Sequence, residues 1–284
     1  MRDRSLVAFT LLTQWGVGLF WALLAVRLWS AGTAGWPALE SATAGAQAAV
    51  PVLAALGIAA SLLHLGRPFR FWRAPTNLGR SWLSREVLLA ALFLGACASC
   101  AALALWAPGE VFLKGVADGA GALLGAALLR AMSRAYRLRT VPAWDAWTTP
   151  AAFLGTALLL GSVGAAAALS AGPQGVAVPE NAPGYLALAA LAVLLAEQMV
   201  LLAWTRRLAG GPEASREALR RIVVGRRSWL LARLAAGGLS AVACAAAVLL
   251  IRPEEVLRLA LVLALTAELF GRLLFYEARV REGL

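Results

Sequence analysis

SLLHLGRPFRFWRAPTNLGRSWLSREV, Ser61 to Val87, is a polar island in a chain made mostly of Leu, Ala, Val and Gly. It leaves one apolar run at His64, the single histidine of the sequence. It then crosses a short connection bearing Arg67, Arg70, Arg73 and Arg80, and enters a second apolar run at Ser84-Arg85-Glu86. A stretch of this kind reads as the turn between two bilayer crossings. The rest of the chain agrees: 61% of residues are hydrophobic and 14% charged, and the mean hydropathy is +0.75. A soluble domain has about a quarter of its residues charged and does not sustain apolar runs of ~20 residues. The sequence therefore predicts an all-α integral membrane protein.

Eight segments reach the ~20 residues that a helix needs to cross a ~30 Å hydrocarbon core. They run from about Ser5 to Leu28, Ala44 to His64, Ser84 to Trp106, Glu110 to Met132, Thr148 to Ala171, Pro183 to Thr205, Ser228 to Ile251 and Glu254 to Tyr276. Residues 1–284 form a single membrane domain in this reading. The first run is too long for the core of a signal peptide, so it reads as a retained span with no twin-arginine leader. Ser84 is placed to cap the third span, with Glu86 in its first turn at the positive end of the helix dipole. Arg130 to Tyr136, closing the fourth span, echo Arg272 to Tyr276, closing the eighth. The echo suggests two four-helix halves.

Charge sets the topology. With eight spans both termini share a side, and 22 of the 26 basic residues fall on it. Only Arg27, Lys114, Arg252 and Arg258 fall on the other. Positive charge is retained inside during insertion, so a bacterial inner-membrane location with both termini in the cytoplasm is expected. The arginines between the sixth and seventh spans read as topology rather than as a nucleic-acid surface.

Few residues here can do chemistry. His64, at a helix end, can bind a metal or exchange a proton, or simply bond a neighbouring loop. One histidine does not make a bis-histidine haem, and no second metal ligand accompanies it. Cys97, Cys100 and Cys244 lie inside apolar runs, read as packing residues, and imply neither a disulfide framework nor an iron–sulfur cluster. Glu197 sits deep in the sixth span without an evident partner and is a candidate for proton movement. Glu268 and Arg272, one turn apart, read as a structural ion pair, with Tyr276 on the same stripe. Thr10, Gln14 and Gly18 form an inward stripe on the first span. Glu86 is either a dipole-complementing acid or a proton acceptor beside His64. Trp144 and the other tryptophans near the connections suit the membrane interface.

HLGRPFRFWRAPTNLGRSWLSREV resembles the signature of the DMSO reductase anchor subunit family, and the likeness runs over nearly the whole chain. It is supported by Phe9-Thr10 with Gln14, by Tyr136 with Thr140-Val141-Pro142-Ala143-Trp144, by Trp147-Thr148-Thr149-Pro150, and by Glu268-Leu269-Phe270-Gly271-Arg272 with Phe275-Tyr276. The resemblance implies eight spans and a non-catalytic anchor without haem or metal of its own. Its partners would be a ferredoxin-like iron–sulfur subunit and a molybdopterin catalytic subunit, and menaquinol or ubiquinol would be its exchangeable substrate. It further implies a quinol site at His64 and Glu86, extended to Arg85, Gln14 and Tyr136. The partner would dock on Arg67, Arg70, Arg73, Arg80, Arg139 and Trp144. Within the same superfamily, the cytoplasmic placement given by the charge count resembles the anchor of a cytoplasm-facing sulfite dehydrogenase, running toward quinone reduction. A proton-coupled secondary transporter using Glu197 and Glu268 is a reading from a different class, as is a passive anchor without a quinone site.

Overall fold

The computed structural model describes residues 2–34, 36–63, 77–107, 110–171, 178–249 and 253–282. Within them lie α1 (Arg2–Ala34), α2 (Trp36–Leu62), α3 (Trp82–Trp106), α4 (Val111–Tyr136), α5 (Thr148–Ser170), α6 (Ala182–Ala209), α7 (Glu213–Arg220), α8 (Arg227–Leu249) and α9 (Glu254–Glu277). All but α7 are long and apolar enough to span a membrane, so the eight expected crossings are present. Large apolar side chains such as Leu105, Phe112, Leu123, Leu195 and Leu249 are exposed on the outside of the bundle. That is the natural state of a surface whose solvent is lipid, where backbone groups must be satisfied within the helix itself.

The helix neighbours repeat between the halves. In the first, α1 packs on α2 and α4, α2 on α3, and α3 on α4; in the second, α5 packs on α6 and α9, α6 on α8, and α8 on α9. α1 and α5 hold the two halves together and are the most enclosed spans. The reason is small residues at their crossing. A methyl on Gly18 would fall on the Ala157 backbone, and one on Gly161 would fall on the backbone of Gly18. In lipid, where no hydrophobic drive acts between helices, such backbone approach is what packing depends on. The crossing also turns Thr10 and Gln14 inward, both fully buried.

Some boundaries move from those expected. α3 is capped by Ser81, whose Oγ accepts from the Ser84 amide at 3.2 Å. Glu86 therefore lies in the second turn, facing inward, rather than in the first. α2 begins at Trp36 rather than Ala44, because Glu40, too polar by itself for a span, is neutralised within the bundle by Lys114. The connection after α6 contains α7 and a π-turn, Arg221–Gly225, neither of them anticipated.

Candidate functional site

α1, α5 and α9 meet through polar side chains toward the arginine-rich side of the bundle. Arg272 on α9 donates from Nη2 to Gln14 Oε1 at 2.7 Å and to Thr156 Oγ1 at 3.2 Å. Thr156 in turn hydrogen-bonds the Glu268 carboxylate. The expected Glu268–Arg272 pair is thus joined through a threonine of another helix. The guanidinium also stacks 4.1 Å from the Phe153 ring centroid, a cation–π contact in a dry setting. One arginine in this way ties three spans together.

Beside this junction is a cavity of ≈ 50 Å³ whose lining includes Glu197, Glu268, Arg233, Arg272 and Thr148. Glu197 gains there the partners that its own sequence neighbourhood does not supply, Glu268 and Arg233. Two carboxyl and two guanidinium groups thus line one cavity, so each acid has a basic group in the same lining. A water needs only ~10–15 Å³ of such space, so there is room here for a few waters. Thr148 Oγ1 and Arg272 Nε, buried and without partners among the described residues, are groups that such waters would bond.

Nearer the helix ends, Tyr136 of α4 and Tyr276 of α9 share a hydroxyl–hydroxyl hydrogen bond of 2.6 Å. Their rings sit in an aromatic cluster with Phe153, Phe275 and Trp144. Trp144 stacks on Phe275 at 5.0 Å and donates from Nε1 to the Phe275 carbonyl at 2.7 Å. It is 3% exposed, which corrects its expected role on a docking surface: its ring belongs to the core. Glu86, 2% exposed, lies within electrostatic reach of both tyrosines. Its Oε1 has no hydrogen-bond partner among the described residues.

The structure therefore gathers Glu86 with Tyr136, and Gln14 with Arg272, at one end of the bundle. It uses Arg85 differently. That guanidinium donates to the carbonyls of Leu78 (2.7 Å) and Gly79 (3.0 Å) and covers the Trp82 ring at 4.3 Å, fastening the segment that leads into α3. Arg80 and Arg139 are exposed. His64, Arg67, Arg70 and Arg73 lie outside the described residues.

At the opposite end of the first half is a feature that sequence reasoning missed. Arg27 of α1 bonds Asp118 of α4 at 3.0 Å, and Lys114 of α4 pairs with Glu40 of α2, all four residues buried. These pairs join α1, α2 and α4 where the connections would otherwise leave them loose. A single signal could have revealed them: Asp118 is an isolated acid in an apolar span, which requires a counter-charge.

A family model described as DMSO reductase anchor subunit (DmsC) matches residues 1–278. An anaerobic dimethyl sulfoxide reductase chain of Haemophilus influenzae is 29% identical over 161 residues, 56% of each of the two proteins. The match thus spans just over half the length of that relative. The anaerobic dimethyl sulfoxide reductase chain YnfH of Escherichia coli is 29% identical over 245 residues, 82% of this protein and 81% of that one. A sulfite dehydrogenase subunit of Allochromatium vinosum is 34% identical over 85 residues, 30% of this protein and 26% of its own length.

Proposed function

The chain belongs to the DMSO reductase anchor subunit (DmsC) family, and from that premise we propose that it binds quinol or quinone at the arginine-rich end of its bundle and exchanges electrons with the iron–sulfur subunit of a molybdenum enzyme. The observation that carries this reading is Glu86. A carboxyl buried between membrane helices is costly unless it is hydrogen-bonded, and its Oε1 finds no bond among the described residues. A quinol hydroxyl donates to such an oxygen. The Tyr136–Tyr276 pair, within electrostatic reach of Glu86, can donate to a quinone carbonyl, so both redox forms meet a suitable group.

Glu86 stands four residues into α3, about 6 Å along the axis from its start at 1.5 Å per residue. A ring held there lies just below the interface, close to a subunit seated on the loops. Oxidation of the quinol releases two protons and two electrons. Glu86 and His64 accept the protons, His64 being suited to exchange near neutrality with its ordinary pKa of about 6.5. The electrons leave one at a time to the nearest cluster, which belongs to the partner. Arg80 and Arg139, with Arg67, Arg70 and Arg73, form the docking face. The charge asymmetry supports a cytoplasmic side for this face and both termini. Similarity to a sulfite dehydrogenase subunit supports the reverse direction as a second reading, with quinone reduced at the same place.

The test uses the assembled complex in membranes. His64→Leu and Glu86→Gln should lower quinol-dependent turnover by a hundredfold or so, the usual contribution of a positioned acid–base group being about 10²–10⁴. Turnover driven by a soluble artificial dye should stay intact. Unchanged quinol turnover in both variants refutes the site.

A further inference from the structure

On the outer surface of the seam between the halves, α4 and α5 border a groove of ≈ 340 Å³. Its walls include Trp21, Leu129 and Leu154, and its rim carries Arg130, Arg134 and Arg137. The three arginines are spaced four and three residues apart, which sets them on one face of α4 and its continuation. Arg137 is neutralised by Asp145 at 3.2 Å. Arg130 and Arg134 are exposed and have no carboxylate partner among the described residues; Arg134 leans toward the Trp82 ring at 5.7 Å.

Arg130 is six residues from the end of α4, about 9 Å inside by the helix rise. A guanidinium at that depth on a lipid-facing surface must reach up to the headgroup layer and find an anion there. We propose that this groove is a binding site for an anionic phospholipid. The phosphate is held by Arg130 and Arg134, and the acyl chains lie along Trp21, Leu129 and Leu154. A diphosphatidyl lipid, with two phosphates, matches both of these cations. Two features favour lipid over a docked protein: the two cations lie within the spanning helix α4, and the groove wall between them and α5 includes the apolar side chains of Trp21, Leu129 and Leu154. Because the groove lies across α4 and α5, an occupant bridges the two halves of the bundle.

The experiment is thermal unfolding of the full chain in lipid-free detergent, titrated with diphosphatidylglycerol, phosphatidylglycerol, phosphatidylcholine or inorganic phosphate. Both anionic lipids should raise Tm saturably, while phosphatidylcholine and phosphate leave it unchanged. Arg130→Gln/Arg134→Gln should weaken the apparent lipid affinity about 30-fold, the effect expected for two basic residues at an anionic surface. Arg130→Lys/Arg134→Lys should retain most of the response, and Arg216→Gln, on α7, all of it. Mass spectrometry of the purified protein supplies a second measurement: the Gln double variant should lose its co-purifying anionic lipid. The proposal fails if phosphatidylcholine or phosphate alone reproduces the shift, or if the Gln double variant keeps wild-type affinity and lipid content. It also fails if the Gln double variant loses only its iron–sulfur partner.

Discussion

Gly18→Ala tests whether backbone contact at the α1–α5 crossing positions the polar junction. The added methyl would lie 2.5 Å from the Ala157 carbonyl carbon and closer still to its oxygen, against an ordinary contact of 3.4 Å or more. No side chain can rotate away, because the obstacle is backbone. The helices must therefore part by about 1 Å or more, near the upper end of the ~1–3 kcal/mol that overpacking costs. At roughly 2–4 °C per kcal/mol for a protein of this size, Tm should fall by some 6–12 °C. The same separation should lengthen the Arg272–Gln14 bond four residues away and reduce quinol turnover in the surviving folded fraction. Gly119→Ala is the matched control: nothing lies within 4 Å of its added methyl, and alanine favours the helix by up to about 1 kcal/mol. Thermal unfolding of the two variants side by side decides the matter. Equal Tm values would refute the crossing as described.

Two further outcomes follow from the buried polar groups. Asp118→Asn should destabilise the protein by about 3–5 kcal/mol, because it removes one partner of a buried ion pair. The double variant Arg27→Met/Asp118→Leu should recover most of that loss, as read by thermal unfolding; failure to recover would mean that Asp118 acts otherwise. Thr156→Val, which removes the hydroxyl joining Arg272 to Glu268, should cost about 1–3 kcal/mol. Thr156→Ser should restore stability, and an equal loss in both variants would point to packing instead.

The spans are legible in the sequence because a ~20-residue apolar run has few uses outside a bilayer. The start of α2 is not. Glu40 looks like a loop residue because its counter-charge, Lys114, is 74 positions away and invisible to any local window. The same distance problem hides the Arg27–Asp118 pair, separated by 91 positions. Glu268 and Arg272 show the reverse error. Their one-turn spacing suggests a direct pair, whereas the hydrogen bonds run to Thr156 and Gln14 on other helices. Trp144 reads as interfacial because its neighbours form a connection, yet the aromatic cluster buries it. Family resemblance singles out Glu86, Gln14 and Tyr136, and their placement at one end of the bundle is what a linear reading does not supply.

The two tyrosine hydroxyls close the ends of corresponding helices in the two halves, yet one hydrogen bond between them has room for only one proton. Whichever oxygen donates, the other keeps a proton that must point elsewhere. Reversing the bond swaps that free proton from one half of the bundle to the other without moving a heavy atom. The bond thus links the ends of α4 and α9, one helix from each half, and either helix can be its donor.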